Sequence, residues 1–202
     1  NYEEFEFCKS LGFDYYQGYF FCKPEVVSQK AMPSTKLQIM KVLSKLQDPD
    51  IGIDDLTEDI SKDVTLSYRL LRYLNSAHFA LHQEVESIRQ AIMMLGWNNI
   101  RNIASLIVMS QVDDKPSDLL KTGLIRARMC FLLGDRLHTG SKDAFFTAGL
   151  FSVIDAMMDR PMQDIIHQLP LNKELQTALV YKQGDIGNVL GDVIKFSAGN
   201  LK

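Results

Sequence analysis

An all-α fold, a bundle of many short helices, is what this sequence predicts, and two observations predict it. From Ser34 onward apolar residues recur at three- and four-residue intervals, bounded by residues that cap or stop helices. No run of comparable length shows the two-residue alternation of a strand. At 202 residues, 46% hydrophobic and 23% charged, the chain is long enough to bury a sizeable core in one or two domains.

Ser34 is expected to cap the first helix, whose apolar positions Leu37, Met40, Val42, Leu43 and Leu46 keep helical spacing until Asp48-Pro49-Asp50 ends it. Asp54 to Ile60 reads as a short helix with an acidic start, and Ser61-Lys62-Asp63 as the cap of the next, Val64 to Leu74. Asn75 and Ser76 stop that helix, since both tolerate non-helical backbone and bond loose main-chain groups. Ser87 then caps a helix that buries Ile88, Ala91, Ile92 and Leu95, and Gly96 supplies the positive φ needed to leave it. The remaining helices are expected at Trp97 to Gln111, Ser117 to His138, Lys142 to Met158, Met162 to Gln168, Lys173 to Tyr181 and Gly187 to Phe196. Met93, Met94, Met157 and Met158 are expected to fill core gaps, and Cys130 to be a buried, unreactive thiol.

Net charge is only -3 with both signs interspersed, which argues against a nucleic-acid partner. The longest apolar runs, such as Ile103 to Met109, fall short of the roughly 18 residues of a membrane span, and no signal-peptide pattern opens the chain. Cys8, Cys22 and Cys130 are odd in number and far apart, so a reducing, cytoplasmic setting is the simpler expectation.

The first thirty residues differ from the rest. Phe13 to Phe21 is dense in aromatics around Gly18 and favours a short strand and turn, and 26–33 reads as a polar linker closed by Pro33. The run Leu11-Gly12-Phe13-Asp14-Tyr15-Tyr16-Gln17-Gly18-Tyr19-Phe20-Phe21-Cys22-Lys23-Pro24 resembles the closing segment of EAL domains, the cyclic di-GMP phosphodiesterase barrels. The resemblance implies that 1–30 is the remnant of such a barrel, cut from its metal-binding carboxylates, and that 31–202 is a separate helical domain. Gln17 matches a family position near the barrel mouth, where it either contacts ligand or stabilises a turn.

The segment Leu70-Leu71-Arg72-Tyr73-Leu74-Asn75-Ser76-Ala77-His78-Phe79, followed by Ser87-Ile88-Arg89-Gln90-Ala91-Ile92-Met93-Met94-Leu95-Gly96-Trp97, closely resembles the HDOD family of HD-related output domains. That resemblance runs from about Leu37 to Phe196 and implies an HD-like multi-helix bundle. Phe145 to Leu150 is similar to the apolar approach to the Gly-Leu-Leu-His-Asp-Ile-Gly signature of the HD superfamily, which puts Ser152 and Val153 where the metal-binding His-Asp pair would stand. A valine offers no lone pair and a serine hydroxyl is a poor substitute for imidazole. Where an upstream histidine ligand is needed, the helix Leu124 to Cys130 offers Arg126, Ala127 and Arg128.

These readings imply a non-catalytic regulatory module of a bacterial signalling protein, with no metal and no cofactor. Its expected partners are its own EAL domain or other signalling proteins, and a nucleotide bound by Arg126 or Arg128 in the vacated site is a third option. Asn75, Ser76 and Trp97 are candidate contacts, each with a structural alternative: Asn75 and Ser76 as a helix stop, Trp97 as a lid over the helix corner. His78 and His82, four apart, with Glu84 and Asp155, are the residues from which an unfamiliar metal site would have to be built. His138 and His167 sit near helix ends and are expected to cap or face solvent. No phosphate-binding glycine loop, nucleophile elbow or dinucleotide fingerprint occurs.

Overall fold

A computed structural model of the chain describes residues 7–13, 33–76, 85–137 and 141–198. Every regular element of length among them is α-helical, as the periodicity predicts: α1 (Ser34–Gln47), α2 (Ile53–Lys62), α3 (Val64–Leu74), α4 (Ile88–Leu95), α5 (Trp97–Met109), α6 (Ser117–Leu137), α7 (Lys142–Phe151), α8 (Ile154–Met158), α9 (Met162–Ile166), α10 (Lys173–Tyr181) and α11 (Gly184–Ser197). Residues 7–10 form one helical turn closed by Gly12 at φ +79°. Most of the EAL-like run, including Gln17, and also His78, His82, Glu84 and His138 lie outside the described residues.

Three expectations about elements need correction. Ser34 does not cap α1 but is its first residue: Pro33, extended at ψ 146°, holds the cap position, and its carbonyl accepts the first helical bond from Leu37 N–H. The stretch from Lys142 to Met158 is two helices, because the Ser152 hydroxyl and N–H both donate to the Gly149 carbonyl and tighten the turn there. Met93 and Met94 are exposed, at 74% and 43%, since the eight-residue α4 turns Ile88, Ala91 and Ile92 inward and so sends the next two positions out. Met157, Met158 and Cys130 are buried as expected, and burial pushes the Cys130 thiol up to about 12.

The starts of α3 and α4 match the sequence. Asp63 accepts from Leu66 N–H at the start of α3, and Ser87 from Gln90 N–H at the start of α4. Gly96 leaves α4 at φ +81°. α11 begins one turn earlier than expected, at Gly184, after Lys182 closes α10 in the left-handed region at φ 57°.

α6 and α7 form the centre, α11 lies on both, and α10 packs on α11 and α7. α5 touches α7 and carries α1, α3 and α4 on its other sides, so it joins the N-terminal helices to the central pair. Two buried side-chain bonds fix that joint: Gln47 Nε2 donates to Ser105 Oγ at 3.0 Å, and Thr147 Oγ1 donates to Asn102 Oδ1 at 3.2 Å. The central pair is close because glycines allow it. A Cβ on Gly149 would stand 2.5 Å from the backbone N and Cα of Ala127, and one on Gly134 would stand 2.5 Å from the Phe145 ring.

Lys36, buried in the first turn of α1, ties three segments together. Its ammonium is 2.8 Å from Asp114 in the α5–α6 loop and 2.8 Å from Asp159, which follows α8 in the left-handed region and also pairs with Lys115. Burial pulls the Lys36 pKa down, but the bonds and charges of Asp114 and Asp159 outweigh it and leave the value raised. Burial likewise pushes Asp159 up, and the two lysines outweigh it and hold the carboxyl below its ordinary value.

Two outcomes follow from this packing. Gly149→Ala is expected to lose about 1–3 kcal/mol in urea unfolding, because backbone cannot move aside as a side chain can, despite the ~1 kcal/mol gain in helix propensity. Asp159 has a lowered folded pKa, so its stabilisation is present above the ordinary Asp value of about 3.9 and is lost as pH falls below it. Asp159→Asn, which keeps tolerance of the left-handed backbone, should flatten the acid limb of a Tm-against-pH curve below about pH 4.

Candidate functional site

Ser152 and Val153, which the sequence resemblance sets against the HD pair, lie at the break between α7 and α8, facing α6. Val153 is buried, and its Cγ2 stands against Gly123 of α6, at 2.9 Å from where a Cβ would be. Ser152 is half-buried and its hydroxyl is already committed: it donates to Gly149 O at 2.7 Å and accepts from Arg126 Nη1 at 3.3 Å. Arg126, only 3% exposed, also donates through Nε to Ser197 Oγ at 3.1 Å, which reaches in from the end of α11. The Ser197 hydroxyl in turn donates to Ile194 O.

Asp155 and Lys182 complete the charged surroundings. Burial holds the Asp155 carboxyl above its ordinary value, offset in part by the Ala156 N–H and by the positive charges of Lys182 and Arg126. Burial holds the Lys182 ammonium below its ordinary value, Asp155 opposes that shift, and Arg126 adds to it. The Lys182 ammonium donates to the carbonyl of Leu179 in its own helix. Asp155 Oδ1 accepts from the Ala156 N–H, so the carboxylate turns back on its own backbone instead of to the Ser152 hydroxyl.

A divalent cation does not fit this set. Val153 offers only an alkyl group, and the Ser152 hydroxyl is bonded to the guanidinium of Arg126, a cation that repels another. Among the described residues no group of three His, Cys, Asp or Glu side chains converges as a metal site.

The remaining candidates from the sequence lie elsewhere in the fold. Arg128, two residues from Arg126 on the same helix, is exposed and lies over the Phe131 ring at 5.4 Å, so the two arginines do not share a pocket. Asn75 is bonded twice to Val85: its Nδ2 donates to Val85 O at 2.9 Å and its Oδ1 accepts from Val85 N at 2.8 Å. Ser76 Oγ donates to Tyr73 O within the last turn. Trp97 is half-buried against the core at the first position of α5. His167 is exposed at the end of α9. Sequence reading misses Ser197 and Lys182, because each reaches the Arg126 region only through the docking of α10 and α11.

Comparison with known proteins places this geometry. The HDOD domain family profile matches residues 32–174. Cyclic di-GMP phosphodiesterase CdgJ of Vibrio cholerae is 32% identical over 190 residues, which are 93% of this chain and 44% of that protein. Uncharacterized protein YuxH of Bacillus subtilis is 33% identical over 193 residues, 94% of this chain and 47% of that protein. The chain therefore spans about half the length of these curated relatives. A crystal structure of an HDOD domain protein from Geobacter sulfurreducens superposes with a TM-score of 0.62 at 17% identity, over 85% of this chain and 73% of that one. A putative phosphohydrolase from Shewanella amazonensis gives 0.60 at 17% identity, over 88% and 80%. At that identity both speak for the fold alone.

Arg126→Met keeps the volume of the stem and removes the guanidinium from Ser152, Ser197 and Asp155. Leaving those groups without a cation is expected to cost about 2–4 kcal/mol in chemical denaturation, well above the ~0.5 kcal/mol expected for Arg128→Met on the surface.

Proposed function

We propose that this chain, which belongs to the HDOD family, is the non-catalytic output module of a bacterial EAL-HDOD protein and works in cyclic di-GMP signalling by binding, not by turnover. The observation that carries this reading is the Arg126–Ser152 hydrogen bond: a fixed cation bonded to one of the aligned ligand positions leaves no donor set for a metal-activated water. The relative named a cyclic di-GMP phosphodiesterase supports the signalling context, and the chain covers only 44% of its length, which leaves room for a catalytic domain outside the matched region. In this reading 1–30 ends an EAL barrel, 31–202 is the HDOD domain, and the partners are that barrel or other signalling proteins.

Binding relays a signal when a partner favours one of two arrangements of the bundle over the other. α1 is the element placed for this, because it follows the linker directly and Lys36 locks its first turn to the α5–α6 loop and to Asp159.

The chain purified without chelator is expected to contain no stoichiometric transition metal and to leave cyclic di-GMP unhydrolysed with manganese or magnesium added. Stoichiometric metal together with hydrolysis abolished by His78→Ala would overturn the reading in favour of a site built from His78, His82, Glu84 and Asp155. A thermal-shift titration with cyclic di-GMP separates the nucleotide-sensing variant, since selective binding to the folded state must raise Tm.

A further inference from the structure

Independently of that functional reading, we propose that the outward face of α6 is a self-association seam on which two copies of this chain pair antiparallel about a two-fold axis. The inward faces of α6 are fully used: Gly123, Ala127, Cys130 and Gly134 are buried towards α7, and Arg126 is directed to Ser152 and Ser197. On the opposite side Asp118, Thr122, Ile125, Met129, Leu132 and Arg136 recur at steps of four, three, four, three and four residues, the spacing of a two-helix seam. Ile125 and Leu132 are 58% and 45% exposed in its middle, Met129 is half-buried between them, and Leu133 and Leu137 of the same helix add exposed apolar surface beside it.

The pattern selects the partner because it is its own complement. An antiparallel two-fold passing beside Ala127 sets Ile125 against Met129 of the other copy and Thr122 against Leu132. It also sets Asp118 against Arg136 at both ends, so each dimer gains two opposite-charge pairs along a seam of about 27 Å. A parallel pairing would put Asp118 on Asp118 and Arg136 on Arg136. A uniformly acidic or basic partner would meet a like charge at one end, which disfavours it. Asp118 is bonded to Lys121 in the single chain, but that pair is exposed and exchanges at little cost.

Sedimentation equilibrium of the 202-residue chain tests the seam. The chain is expected to dimerise reversibly between micromolar and near-millimolar concentration. Leu132→Asp should abolish the dimer while leaving the thermal melt within a degree or two, because the side chain is exposed. Asp118→Arg and Arg136→Asp should each weaken dimerisation about tenfold, the size of two lost surface ion pairs, and the double variant should restore it. A monomer at every concentration overturns the proposal, and so does a dimer that survives Leu132→Asp. Single reversals that weaken the dimer without rescue by the double variant overturn the antiparallel register.

Discussion

The backbone contact between Gly149 and Ala127 governs the geometry of the whole domain. With no Cβ on α7 at that point, α6 and α7 approach until main chain meets main chain, and the distance sets where everything attached to either helix falls. Arg126 precedes the contact on α6 and Ser152 follows it by one turn on α7, so the guanidinium reaches the hydroxyl only because the two helices are this close. Gly134 and Phe145 repeat the arrangement nearer the other end of α6, where an aromatic ring replaces the missing side chain. Helices held at two such points have little freedom to slide, and a packed core switches between discrete arrangements instead of deforming smoothly.

Much of this architecture is legible in the sequence because it is local. The spacing of Leu66, Leu70 and Leu74, or of Ile88, Ala91 and Ile92, declares both the helix and its buried face, and Asp63, Ser87 and Gly96 mark the ends with side chains or backbone that need no tertiary partner. Expectation and structure part where a neighbour decides. Ser34 has the chemistry of a cap, yet Pro33 already presents the carbonyl that starts the helix. The break at Ser152 is hidden inside an apolar run, because a hydroxyl that bends back to Gly149 looks in sequence like any small helical residue.

The candidate site is legible in a narrower sense. That Ser152 and Val153 offer neither imidazole nor carboxylate can be read from the segment alone, and so can the arginines on the facing helix. What fills the space cannot be read, since Arg126 and Arg128 are equivalent as letters and only the pitch of α6 sends one inward and the other over Phe131. Ser197 and Lys182 arrive from helices more than fifty residues further on. The Lys36 network is equally silent in sequence, with its acids in two separate loops. Asn75 is recognisable as a helix stop, but its double bond to Val85, ten residues on, is not written in the local pattern.

A buried guanidinium behaves differently from a bound metal ion. A bound cation makes a fold depend on metal supply and on the protonation of its ligands, because histidine and carboxylate must be deprotonated to bind. Arg126 is instead covalently part of α6, so its guanidinium is held between α6, α8 and α11 without any metal supply. It also carries a direction: its planar donors reach Ser152 on one side and Ser197 on the other, while Asp155 balances its charge against that of Lys182. Pulling α11 away would strand a buried cation as well as an apolar face, a cost that rises steeply with separation. The C-terminal helix is therefore coupled to the central pair more tightly than its apolar contacts alone would make it.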